Sequence, residues 1–109
     1  MLRATAVLIS IIAPLWAAHA QDNGALPLYN VDAFCDKLAH AQGDDDFART
    51  DCLEQEKEHL DKLLSAWPTV PVDMKAMCDD MLKSEGPSYS GLYYCIVAEY
   101  ESEQGYSPF

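Results

Sequence analysis

The sequence predicts an all-α fold: four short helices paired as two disulfide-stapled helical hairpins. Three observations carry that prediction. Apolar residues recur at the i, i+3, i+4, i+7 spacing of a helix face in four separate stretches, and no alternating strand pattern competes with them. Four cysteines fall into two pairs of equal spacing, at Cys35 and Cys52 and at Cys78 and Cys95. With 109 residues, half of them hydrophobic and 23% charged, the chain has the size and composition of one small globular domain.

Residues 1–20 read as a signal peptide and stand apart from the fold. Arg3 gives a positive start, Ala4 to Trp16 runs apolar apart from Thr5 and Ser10, and Ala18-His19-Ala20 offers a small-x-small cleavage site. The apolar run is shorter than the roughly 20 residues a membrane span needs. Removing 20 of 109 residues leaves 89, and losing Arg3 takes the net charge from −11 to −12. All four cysteines lie beyond the cleavage site, so an exported domain with two disulfides is expected, in a periplasm or outside the cell.

Residues 21–30 (QDNGALPLYN) read as a flexible, polar leading segment, and the four-helix domain is expected over 31–103. Val31, Phe34, Cys35, Leu38 and Ala39 make one face of the first helix, which Asn30 can cap and Gly43 can terminate. The second helix runs from about Phe47 to Ala66, capped by Asp46, with Cys52, Leu53, Leu60, Leu63, Leu64 and Trp67 on its stripe. Pro68 and Pro71 break it, because proline lacks the N–H of the ladder and restricts its predecessor. A third helix, about Val72 to Ser84, aligns Met74, Met77, Cys78, Met81 and Leu82 and ends at Gly86-Pro87. Ser88 caps a fourth, about Tyr89 to Glu103, which aligns Leu92, Cys95, Ile96 and Glu99; residues 104–109 form a tail.

The halves repeat. Positions 31–60 set against 74–103, an offset of 43, share seven identities, among them Cys35/Cys78, Gly43/Gly86, Cys52/Cys95 and Glu56/Glu99. Average residue usage would give about two. A closed pair of helical hairpins follows. In an antiparallel hairpin, residues equidistant from the turn face each other. Midway between Cys35 and Cys52 lie Gly43 and Asp44; midway between Cys78 and Cys95 lie Gly86 and Pro87. Both are predicted turns, which favours one bridge per hairpin. The crossed pairing, Cys35–Cys78 with Cys52–Cys95, would join equivalent helices and stays open at this level. Each loop closure is worth roughly 3 kcal/mol in the chain-entropy account, a large share for so small a core.

Four groups of residues are candidates for function. Glu56 and Glu99 each follow a cysteine by four residues on the same helix face, and two inward carboxylates would share a proton or hold a cation. Met74, Met77 and Met81 beside Cys78 have the spacing of a thioether site for a soft metal, with His40 or His59 as a nitrogen donor; the same spacing describes a buried stripe. Tyr89, Tyr93 and Tyr100 form a second stripe on the fourth helix, either core or partner surface. Asp44-Asp45-Asp46 lacks the ligand order of a calcium loop and reads as a solvated turn.

Catalytic and cofactor motifs are missing: there is no C-x-x-C, G-x-S-x-G or H-E-x-x-H. A non-enzymatic protein without a cofactor is expected. The acidic balance excludes a nucleic-acid footprint and opposes anionic membrane surfaces. A basic periplasmic or secreted protein suits it as a partner, bound by a monomer or weak dimer. A metal or small-ligand binder and an acid-stress or envelope-structural protein are the alternative classes.

The twin C-x16-C-x3-E motifs at Cys35–Glu56 and Cys78–Glu99, the Trp67-Pro68 break, and Ser88-Tyr89-Ser90 ahead of Cys95 carry a resemblance. The chain resembles a loose group of small exported proteobacterial proteins with four cysteines, generally left as hypothetical. The likeness covers about residues 31–103 and implies the helical fold; no activity or site comes with it. Periplasmic immunity proteins against cell-wall amidases are similar in class, being small, exported and helical, but not in motif.

Overall fold

The computed structural model describes residues 24–109. The expected signal peptide and the first residues after it lie outside that range. The described chain holds α1 (Val31–Ala41), α2 (Asp46–Ala66), a 3₁₀ turn (Trp67–Thr69), α3 (Val72–Glu85) and α4 (Tyr89–Gln104), with no strand among the described residues. Two disulfides, Cys35–Cys52 and Cys78–Cys95, each staple one hairpin, with Cα–Cα distances of 5.6 and 5.8 Å. Paired bridges of this kind belong to a chain that folds in an oxidising compartment. No described helix is long and apolar enough to cross a membrane.

Local chemistry sets each boundary. The Asn30 side chain accepts from the Ala33 N–H at the start of α1, and Ser88 does the same for Gly91 at the start of α4. Asp45, rather than the expected Asp46, caps α2 by accepting from the Phe47 N–H; Asp46 is the first helical residue. That shift puts Asp45 and Ser88, both caps, at equivalent positions of the repeat. Gly43 and Gly86, also equivalent, turn the chain with φ of 83° and 107°, a region that a side chain disfavours.

α2 and α4 pack together at the centre, α1 lies on α2 and α3 lies on α4. Contacts advance in the same sense along the inner pair. Glu56 meets Tyr89 and Ser90, His59 meets Ser90 and Tyr93, and the Lys62 ammonium lies over the Tyr93 ring. The core belongs mainly to α3, α4 and the distal half of α2: Leu63, Trp67, Val70, Met74, Cys78, Leu82, Tyr89, Leu92 and Ile96 form one buried cluster. Burying each of Leu63, Leu92 and Ile96 stabilises by roughly 1.5–3 kcal/mol. Gly91 lets α3 approach closely, since a Cβ there would lie 2.8 Å from Leu82 Cδ2.

The leading segment needs correcting. Over residues 24–30 it is a strap docked on the second hairpin. The Trp67 indole N–H donates to the Gly24 carbonyl at 2.6 Å, the Tyr89 hydroxyl donates to the Pro27 carbonyl, and the Tyr29 hydroxyl donates to Asp79 Oδ1 at 2.7 Å. Leu26 and Tyr29 pack on the core. Burial, then the hydrogen bond to the Asp79 carboxylate, pushes the Tyr29 hydroxyl well above the ordinary tyrosine range. The segment reads as loose because its partners lie 43 to 62 residues away in the chain.

Candidate functional site

The buried residues of α2 are Cys52, Glu56, His59, Leu63 and Ala66, a stripe at alternating spacings of four and three. Two of the five are ionisable. Glu56 is 1% exposed and reaches across to the start of α4. Its Oε1 accepts from the Tyr89 N–H at 2.8 Å, and its Oε2 accepts from the Ser90 N–H at 3.0 Å and the Ser90 hydroxyl at 2.5 Å. With Ser88 taking the Gly91 N–H, the first three N–H groups of α4 are satisfied by side chains. The negative carboxylate also sits at the positive end of the α4 dipole.

His59 completes the cluster, its Nδ1 lying 2.8 Å from Ser90 Oγ. An ionised carboxylate only accepts, so the single hydroxyl proton of Ser90 points to Glu56 and His59 donates to Ser90 from Nδ1–H. A hydrolytic triad places the imidazole between acid and hydroxyl, so that the ring takes the hydroxyl proton. Here the hydroxyl is in the middle with its proton directed away from the ring. This order of groups clamps α2 to the N-terminus of α4. The imidazole then stacks on Tyr93 and Tyr94, with centroids 4.7 and 5.3 Å away.

The remaining candidates separate. Glu99, expected beside Glu56 as a second buried carboxylate, is only half-buried and forms no pair with it. The equivalent helix start, that of α2, already carries Asp44, Asp45 and Asp46, which would repel a fourth carboxylate. Tyr89 is core rather than partner surface, its hydroxyl bound between the strap groups Pro27 O and Tyr29 N–H. Tyr93 is half-covered by His59, Lys62 and Phe109, and Tyr100 packs edge-on against Tyr106. Tyr94, at 62% exposed, is the open ring of that helix.

The methionines part company too. Met74 is sealed in the core, Met77 and Met81 are exposed, and the sulfur of Cys78 is spent in its disulfide. Among the described residues, no three or more His, Cys, Asp or Glu side chains are grouped to hold a metal ion.

Above the clamp opens a cleft of about 310 Å³ between α1, the first turns of α2 and Ser90. Phe34, Leu38 and Phe47 line it with Asp45, Asp51 and Glu56. Phe47 is 78% exposed and Leu38 38%. Sequence reading singled out Glu56 but neither His59 nor Ser90 as its partners, and it set Phe34 and Leu38 on one apolar face with Cys35 and Ala39, of which the structure buries only the last two. No family model matches the chain, and no curated protein or solved structure matches it.

Proposed function

We propose that the chain is an exported, non-enzymatic binding module for a basic periplasmic or secreted protein, inhibitor- or immunity-like in class. One observation carries this reading: a stapled scaffold with a formal charge of −11 leaves large apolar side chains uncovered beside carboxylates, Phe47 and Leu38 among them. Exposed apolar patches rimmed by charge are a mark of interaction surfaces. Opposite charge speeds encounter and makes association salt-sensitive.

Crosslinking the disulfide-intact protein in periplasmic and secreted fractions, at low and high salt, tests the reading. A partner of basic surface, captured at low salt and lost at high salt, supports it. An acidic partner, capture indifferent to salt, or no partner in either condition contradicts it.

A further inference from the structure

α1 buries only Cys35 and Ala39, which leaves Phe34 half-buried and Leu38 exposed along one edge. Beside the cleft of about 310 Å³, two cavities of about 240 Å³ adjoin along that edge. Phe34 lines all three, and the Gly86-Pro87 turn of the second hairpin forms the opposite wall of the smaller pair. Phe34, common to all three, sets them side by side as one groove surface that runs from the start of α2 along α1 to the turn joining α3 to α4.

Its two ends differ in charge. Asp45, Asp51 and Glu56 line the largest cavity, and no Lys or Arg side chain lines it. Arg49, one turn away, is paired to Asp36, while the opposite end carries both Lys37 and Glu85. Asp45 and Asp51 each hold one hydrogen bond, to the Phe47 N–H and the Gln55 amide. A carboxylate offers about four acceptor positions, so both retain capacity for an incoming donor.

We infer that this groove seats a basic segment of the protein partner, with an arginine side chain in the cavity between α1 and the start of α2. The aliphatic stem of arginine would lie against Phe34, Leu38 and Phe47, and its planar guanidinium would reach Asp45 and Asp51. A guanidinium suits the place better than an ammonium because it stacks on aromatic faces and forks to carboxylates. An apolar neighbour in the segment would occupy the smaller cavities beside Pro87. The inference rests on the binding-module reading and says where the partner enters.

The test uses ¹⁵N-labelled, disulfide-intact protein and a blocked pentapeptide, Gly-Leu-Arg-Leu-Gly, with its citrulline counterpart as the neutral control. Saturable amide shifts at Ala48, Asp51, Gln55, Ser90 and along α1 are expected with the arginine peptide and not with citrulline. Phe47→Ala should weaken binding about tenfold and Asp51→Asn about fivefold. Both positions are exposed, so neither change removes core. Equal binding of the citrulline peptide, no saturable shift at millimolar peptide, or shifts confined to the Tyr94 face would each overturn the inference. Shifts at Tyr94, or a basic partner crosslinked elsewhere, would leave the binding-module reading standing. Failure of both the titration and the crosslinking would end both.

Discussion

The two hairpins close loops of the same length, with cysteines 17 residues apart in each, yet they are held together differently. The second hairpin brings Met74, Cys78, Leu82, Leu92 and Ile96 into the shared core and is strapped by residues 24–30. The first adds Leu63 from the distal half of α2, but its α1 buries only Cys35 and Ala39 and is otherwise held by an ion pair from Arg49 to Asp36 and by the disulfide. Equal covalent constraint with unequal packing shows what the staple permits: a helix can stay in place while one apolar edge remains open. Repeat-related aspartates mark the same divergence. Asp36 ties α1 to α2 through Arg49, while Asp79 ties the strap to α3 through Tyr29.

Substitutions of like residues in the two regions sharpen that contrast. Leu92→Ala, in the second hairpin, removes a fully buried side chain and should cost about 3 kcal/mol by chemical denaturation. Leu38→Ala, on the open edge of α1, should cost no more than about 0.5 kcal/mol. Similar values for both would mean that the first hairpin is packed as tightly as the second.

The paired glutamates come next in size. Glu56→Gln sets an amide NH₂ against one of the two N–H groups, of Tyr89 or of Ser90, and should cost about 2 kcal/mol. Glu99→Gln, half-buried and outside the clamp, should lie within about 0.5 kcal/mol of the parent. An equal loss at both positions would restore the symmetric pair that the repeat implies.

The smallest effect concerns the strap. The Tyr29 hydroxyl is held well above its ordinary value by burial and by its bond to Asp79. A folded-state pKa raised over the unfolded one contributes stability that is complete below about pH 10 and is lost as pH rises toward the folded value. Stability should therefore fall on the alkaline side, and Tyr29→Phe should flatten that part of the profile. An unchanged alkaline slope in the variant would show that the strap is not anchored there.

Much of this was legible in the residues because it depends on neighbours in sequence. Helical spacing, the caps Asn30 and Ser88, and the turns at Gly43 and Gly86 are local, and cysteines equidistant from those turns pair as the hairpin geometry favours. Glu56 was legible as an odd residue in an apolar stripe. Its partners were not, because they are donated by a helix start 33 and 34 residues away. His59 was legible only as a possible nitrogen donor beside the methionines, and a stripe of Cys, Glu, His, Leu and Ala hides its periodicity from any hydrophobic measure. The tyrosines of the fourth helix sort into core and surface only once the strap and the tail are in place, since Pro27 and Phe109 do the covering.

Hydrogen exchange on the oxidised protein and on the double variants Cys35→Ala/Cys52→Ala and Cys78→Ala/Cys95→Ala probes the division of labour most directly. Without the first bridge, amides of α1 should lose protection while those of α3, α4 and the distal half of α2 keep it. Without the second, protection should fall across the shared core in one step. Retained protection of α1 in the first variant, or melting of the whole domain together in it, would contradict the account.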